Sequence, residues 1–452
     1  MSAFRRWFRN SRFYHLYNFK DDLARGRLML LFSTGFGNLA AVLTTGLFYT
    51  GFLIDNGINL TNIGIITFLP SLASLFTLLA PSILERFPKR KWILAAGKFL
   101  YYAVYILGGT LVPILVHDYT TKVILFAVTV LLGHSFNAIV TSGYTSWHIN
   151  LMPESVRAEH FGINSIVGNV SAQGFGFLFA LVVDAMPPEV AANTIVLLRY
   201  AGFAAGVVDV FILTRPVEFA YEKLAERPKL RDIFVLPLKN RKFSMCILVI
   251  VTWTFVANLP NSVINYRLLE QLHISYSTIQ FINVLFPLVL AICLGPCRRL
   301  LNRFGWLEVF AVGGVIECIS FIAYGFVAPE NVKWLFPVVR ITQHFISAGL
   351  TNIPFSNMQY MNLPAEGRTN YMSFYILSAN IAAFLGMMIG TWFVALFPDL
   401  SFPLLGISIG NIQLLQIAEG VGMGIVSVGT YLLRSRILPG DGSYEGRPAR
   451  RK

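Results

Sequence analysis

Charge is what this chain has least of. Only 13% of its 452 residues are Asp, Glu, Lys or Arg, against 55% that are hydrophobic, whereas a soluble domain carries about 25% charge. The mean hydropathy is +0.61, and a water-soluble globular fold is excluded. Cysteine is equally scarce. The four present, Cys246, Cys293, Cys297 and Cys318, lie in or beside apolar stretches, so no disulfide framework is implied. Cys293 and Cys297 stand four apart on one helical face, but no His or carboxylate adjoins them, which favours packing over a metal site. No metal and no other cofactor is expected. The chain has no G-x-x-x-x-G-K-[ST], which argues against an ATP-driven pump, and no H-E-x-x-H, G-x-S-x-G or paired-acid constellation, which argues against an enzyme. Residues 1–27 are basic and aromatic without an apolar core, so a cleavable signal peptide is not expected.

What is present is apolar length. Runs of about 20 residues, enough to cross a bilayer as helix, recur at 28–54, 63–84, 92–116, 123–147, 161–184, 192–213, 243–264, 277–297, 306–327, 334–357, 371–397 and 411–433. Twelve spans are predicted, with Pro260 and Pro287 interrupting the seventh and eighth. The net charge of +13 invites a nucleic-acid reading, and the position of each cation removes it. With both ends on one side, the segments of that side carry 30 of the 36 Lys and Arg residues and the opposite loops carry three, Lys122, Arg267 and Lys333. This positive-inside asymmetry predicts cytoplasmic termini in a cell-membrane protein whose basic loops meet anionic lipid. No nucleic acid is expected.

The chain also repeats itself. At a fixed offset of 211, Pro153, Arg157, Asn169 and Ala172 meet Pro364, Arg368, Asn380 and Ala383, while LERFPKRK (84–91) aligns with LNRFGWLE (301–308) at an offset of 217. The expected organisation is a segment 1–27, a six-helix bundle 28–213, a charged linker 214–242, a second bundle 243–433 and a tail 434–452. The fold class is all-α and polytopic, with two pseudo-symmetric halves.

Six spans, a basic linker and six spans, with a charged loop after the second, resemble the major facilitator superfamily over residues 25–436. The family's loop pattern G-x-x-x-D-R-x-G-R-[RK] is degraded in PSILERFPKRK. Pro81 and Pro88 replace glycines and Glu85 replaces Asp; in the second half Arg303 and Gly305 hold, with Asn302 at the acid's place. SWHINLMPESVRAEHFG is also similar to a W-x(5)-P-x(3)-R-x(3)-F-G pattern found after the fourth helix of bacterial members. The resemblance implies alternating access between two bundles. It implies a cytoplasmic gate built from Glu85, Arg86, Arg90, Glu154, Arg157, Arg303 and Arg368.

Ionisable residues inside spans are costly and mark function by default. The acids are Asp209, Glu317 and Glu419; the bases are Lys98, Arg199 and Arg340. Lys98 and Asp209, near span ends, are expected to anchor by snorkelling, and Glu317 to pair with Arg340. The resemblance places spans 1, 4, 7 and 10 around the cavity, where they contribute Asn38; His134 and Asn137; Trp253 and Asn258; Gln343, His344 and Asn352. His134 and His344, at nearly equal depth in repeat partners, are expected to face each other across the cargo path. Spans 4, 7 and 10 hold no acid, and span 1 holds none before Asp55. The expected function is secondary active transport of a small organic solute by a monomer, with a proton as the candidate coupling ion. The alternatives are a facilitative uniporter, or a channel or lipid-translocating protein.

Overall fold

The computed structural model describes residues 14, 16–84, 86–149, 151–218, 230–364, 368–404 and 406–437. Among the described residues, ten helical runs are long and apolar enough to cross a membrane, and three of them, Asp22–Asp55, Leu60–Leu79 and Lys91–Leu115, join more than one helical segment. The other two predicted spans depart from a plain helix for local reasons. Predicted span 7 is helical only over Arg241–Ala257, 17 residues, because the chain turns ahead of Pro260. Predicted span 10 divides at a π turn, Ser347–Thr351, between helices Val332–Ile346 and Asn352–Met358. The chain is an all-α multi-pass membrane protein.

In order, the helices are α1 (Asp22–Thr44), α2 (Gly46–Asp55), α3 (Leu60–Ala73), α4 (Ala80–Leu84), α5 (Lys91–Tyr101), α6 (Gly109–Leu115), α7 (Tyr119–Ile149), α8 (Glu154–Asp184) and α9 (Pro188–Leu213). Then follow α10 (Leu230–Lys239), α11 (Arg241–Ala257), α12 (Ile264–Tyr266), α13 (Tyr276–Phe304), α14 (Trp306–Gly325), α15 (Val332–Ile346), α16 (Asn352–Met358), α17 (Arg368–Leu396) and α18 (Asn411–Ile437). An antiparallel hairpin, β1 (Ser401–Leu404) and β2 (Ile407–Gly410), joins the last two. The first span is two helices, not one. Gly46 has φ +57°, a left-handed value that glycine adopts without a Cβ clash.

The chain divides into two compact units. Unit 1 comprises residues 1–58, 73–226 and 275–280, and unit 2 comprises 59–72, 227–274 and 281–452. The division is therefore not the clean 28–213 and 243–433 expected from the sequence: most of α3 groups with unit 2, and the first turn of α13 with unit 1. Inside unit 1, α1 packs along α8 and α9, over a core that includes Leu30, Leu84, Leu94, Val140 and Trp147. Inside unit 2, α11 packs against α17 and α18 around Phe243, Ile250, Trp253 and Phe310. Lipid supplies no hydrophobic drive between helices, so close backbone approach decides such packing. At Gly386 and Gly390 of α17 a Cβ would collide with the carbonyls of Phe255 and Leu259.

Candidate functional site

In unit 1 the span charges form two sites that share one structural device. The chain between α5 and α6 is a π turn, Tyr102–Gly108, a rare geometry that often marks functional positions. It projects Tyr102 and Tyr105. Tyr102 donates to Asp209 Oδ2 at 2.6 Å, Ser33 donates to Oδ1 at 2.5 Å, and Lys98 Nζ lies 2.7 Å from Oδ2. Asp209 is fully buried, and the Lys98 ammonium also lies over the Tyr144 ring. Lys98 and Asp209 thus do not snorkel separately to the surface. They neutralise each other between α5 and α9, and Ser33 extends the network to α1.

Tyr105 serves the second site. Arg199 is fully buried, with its guanidinium 4.3 Å from the Phe52 ring centroid and 5.0 Å from that of Tyr49. It donates to Thr110 Oγ1 at 2.9 Å and to the carbonyls of Thr44 and Ile106 at 3.4 Å. No carboxylate pairs with it among the described residues; carbonyl dipoles and aromatic faces hold the charge instead. His134 lies against Tyr105 and Tyr101, ring centroids 4.7 and 5.3 Å apart, and its Nε2 is buried without a partner.

Unit 2 repeats the theme with acids. Its π turn Ser347–Thr351 brings the Thr351 hydroxyl beside Glu317. Glu317 is 5% exposed, and its Oε2 has no partner. The expected pair with Arg340 does not form. Arg340 Nη1 donates to Gln343 Oε1 at 2.8 Å, and its guanidinium faces Tyr324. Buried Glu419 lies within electrostatic reach of both Arg340 and Glu317. Gln343, in turn, donates to the Ser320 carbonyl at 3.4 Å. Two acids and one base therefore share α14, α15 and α18.

The neutral cavity candidates are mostly committed to their own units. His344 Nε2 is 3.0 Å from the Ile282 carbonyl and His134 is enclosed by tyrosines, so both rings are engaged with neighbouring helices. Trp253 is packed on Phe310 in the core of unit 2, which removes it as a free stacking surface. Asn38 donates to the Thr34 carbonyl and Asn258 to that of Thr254, each at 2.7 Å. The Asn137 carbonyl accepts from Thr141, and Asn352 is half-buried at the start of α16.

The loop residues are held by partners that the sequence did not mark. Arg157 donates to the Met152 carbonyl at 3.3 Å from both Nε and Nη2. Arg27, almost fully buried, donates to the carbonyls of Leu16 and Leu151 at 3.0 and 3.1 Å, and Tyr17 shares a 2.9 Å hydrogen bond with His160 Nδ1. Burial pushes the Tyr17 hydroxyl up to about 12, so the phenol keeps its proton. Glu218 accepts from the backbone N–H of Arg90 and, at 2.7 Å, of Lys91, which caps α5. Arg90 Nε bonds the Phe87 carbonyl, Arg86 is exposed, and Arg303 lies over Phe304. Glu85 and the side chains of Glu154 and Arg368 lie outside the described residues.

Comparison with known proteins agrees with this architecture. The model of the Major Facilitator Superfamily matches residues 243–436. Among solved structures, the nucleoside transporter NupG is similar at 12% identity and a TM-score of 0.67, over 92% of this chain and 99% of that one. A bacterial homologue of the iron transporter ferroportin, in an inward-facing state, gives 13% identity and a TM-score of 0.68 over 91% and 99%. A D-xylose-proton symporter gives 12% and 0.64 over 91% and 95%. No curated protein matches.

Proposed function

We propose that this chain, whose fold is similar to that of solved transporters and whose residues 243–436 match the Major Facilitator Superfamily, moves a small organic solute across the cell membrane by alternating access, as a monomer coupled to protons. The observation that carries the coupling is Glu317, a mid-span carboxyl group with one oxygen unpartnered and with Thr351 beside it. Glu419 and Arg340 complete a three-charge cluster. An unpaired carboxylate is costly in that setting. Arg340 already spends a donor on Gln343, so a small rotation of α15 changes which acid it faces, and with it which acid holds a proton. The Lys98–Asp209 pair and Arg199 hold their own unit together in this reading. The cargo contacts are Asn38, Asn137, Asn258, Asn352, Gln343 and the two histidines where a helix movement frees them. Trp253 acts from behind the wall. Arg86, Arg90, Arg157, Arg303 and Arg368, with Glu85 and Glu154, form the cytoplasmic gate.

The test is flux in proteoliposomes with a cargo found by thermal-shift screening. Glu317→Gln is expected to abolish accumulation driven by a pH gradient while leaving counterflow with unlabelled cargo intact. Gradient-driven accumulation that survives both Glu317→Gln and Glu419→Gln would refute proton coupling at this cluster. A facilitative uniporter is the second reading, favoured by the lack of acids in spans 4, 7 and 10; it shows counterflow but no accumulation in the parent protein. A channel or lipid-translocating protein shows neither saturation nor counterflow.

A further inference from the structure

Unit 2 contains a cavity of about 460 Å³ between α11 and α17, a size typical of small-molecule sites. Leu248, Val251 and Phe255 of α11 form one wall, and Phe374, Ile381 and Leu385 of α17 the other. The two helices meet where Gly386 and Gly390 let α17 approach the Phe255 and Leu259 carbonyls, which places the closed end beyond Phe255. Leu238, the penultimate residue of α10, and Ser244, near the start of α11, line the other end. From Ser244 to Phe255 the wall runs about 16 Å at 1.5 Å per residue. That is close to one leaflet of a hydrocarbon core about 30 Å thick.

The lining is almost wholly apolar, with three hydroxyls in it. Ser244 Oγ donates to the Pro237 carbonyl at 2.7 Å and Thr252 Oγ1 to that of Leu248 at 2.8 Å, which leaves Ser378 as the one lining hydroxyl beside the apolar side chains. The mouth has the opposite character. Between the lining residues Leu238 and Ser244 stand Lys239, Arg241 and Lys242, all exposed. No carboxylate pairs with them among the described residues. The short helix α10 that delivers them is fixed to α17, with Phe234 edge-on to Phe374 at 6.2 Å and Tyr371 donating to the Leu236 carbonyl at 3.2 Å.

We propose that this groove and the three cations at its mouth bind one anionic phospholipid. An acyl chain fills the groove, and the phosphate meets Lys239, Arg241 and Lys242. Charge complementarity selects the headgroup, and the depth of one leaflet selects the chain. The site is separate from the Glu317 cluster and does not depend on the identity of the cargo.

The experiment is photolabelling in phosphatidylcholine nanodiscs doped with a phosphatidylglycerol that carries an acyl-chain diazirine, followed by peptide mapping. Label is expected to concentrate on residues 244–255 and 374–385. It should exceed that from a phosphatidylcholine analogue about tenfold, since each cation near an anionic surface is worth up to about fivefold. Changing Lys239, Arg241 and Lys242 to Gln should erase the preference, and changing Lys239 and Lys242 to Arg should keep it. Equal labelling by the two lipids overturns the proposal. So does label spread evenly over exposed apolar residues of other helices, such as Leu132 and Leu432, or a free fatty-acid diazirine that labels as strongly as phosphatidylglycerol. The comparison on the parent protein needs no variant, so a misfolded mutant does not obscure the outcome.

Discussion

Asp209 depends on three helices at once. Its two oxygens are occupied by Ser33, Tyr102 and Lys98, and none of its surface reaches solvent. Removing one member of a buried pair leaves an uncompensated charge, which costs about 3–5 kcal/mol, far above the roughly 0–1 kcal/mol of a surface pair. Lys98→Met and Asp209→Asn are each expected to lose about 3 kcal/mol in detergent unfolding. The double variant Lys98→Met with Asp209→Leu should recover most of that loss. If the single variants unfold like the parent, the pair contributes no stability. The sequence marked both residues as ionisable groups within spans and missed that they meet. Hydropathy gives the depth of a residue but not the rotation of its helix, and rotation decides the partner. For the same reason Arg340 was assigned to Glu317 when its nearest acceptor is Gln343, one turn along its own helix.

At the scale of elements, apolar runs of spanning length were legible because bilayer thickness fixes their length, whereas their interruptions were legible only in part: the chain does turn ahead of Pro260, but α13 runs through Pro287. The π turn at 102–108 has no proline within it to announce it, and the one at 347–351 is followed by Pro354, which has no N–H for the Leu350 carbonyl; each turn carries residues that contact buried charges. The loop around 151–160 was legible as one half of the internal repeat and as a motif similar to the family's, but not in the contacts that hold it. Its structural role comes from Arg27, which binds Leu16 on one side and Leu151 on the other, and from the apolar contacts of Leu16 and Tyr17 with Leu31 and Val156. Arg27→Met should release residues 16–20, because two buried carbonyls lose a charged donor at about 1.5–3 kcal/mol each. Trypsin cleavage after exposed Lys20 is expected to accelerate at least about tenfold. An unchanged rate would mean that apolar packing alone holds the segment. Glu218→Gln should have a milder effect, about 1 kcal/mol, since it weakens a helix cap without leaving a buried charge.

At the scale of the whole molecule, the strongest sequence signal is the uneven placement of cations, and it predicts an orientation that can be tested. Under the expected topology thirty Lys and Arg residues belong to the segments on the side of both termini and the linker, and Lys122, Arg267 and Lys333 to the opposite loops. These three are not equal witnesses. Arg267 is buried, bonded to Gln416 and the Val327 carbonyl, so it pins unit 2 and says little about topology. Lys333 lies in the first turn of α15, and Lys239 closes α10, which puts the two at opposite ends of unit 2 if α11 and α15 cross as the cation rule requires. In a background whose four cysteines are replaced by serine, Lys333→Cys should react with an impermeant maleimide on intact cells. Lys239→Cys should react only after permeabilisation. The reverse pattern would invert the molecule, and it would move the proposed anionic-lipid groove to the outer leaflet, where the cation rule gives it no reason to be.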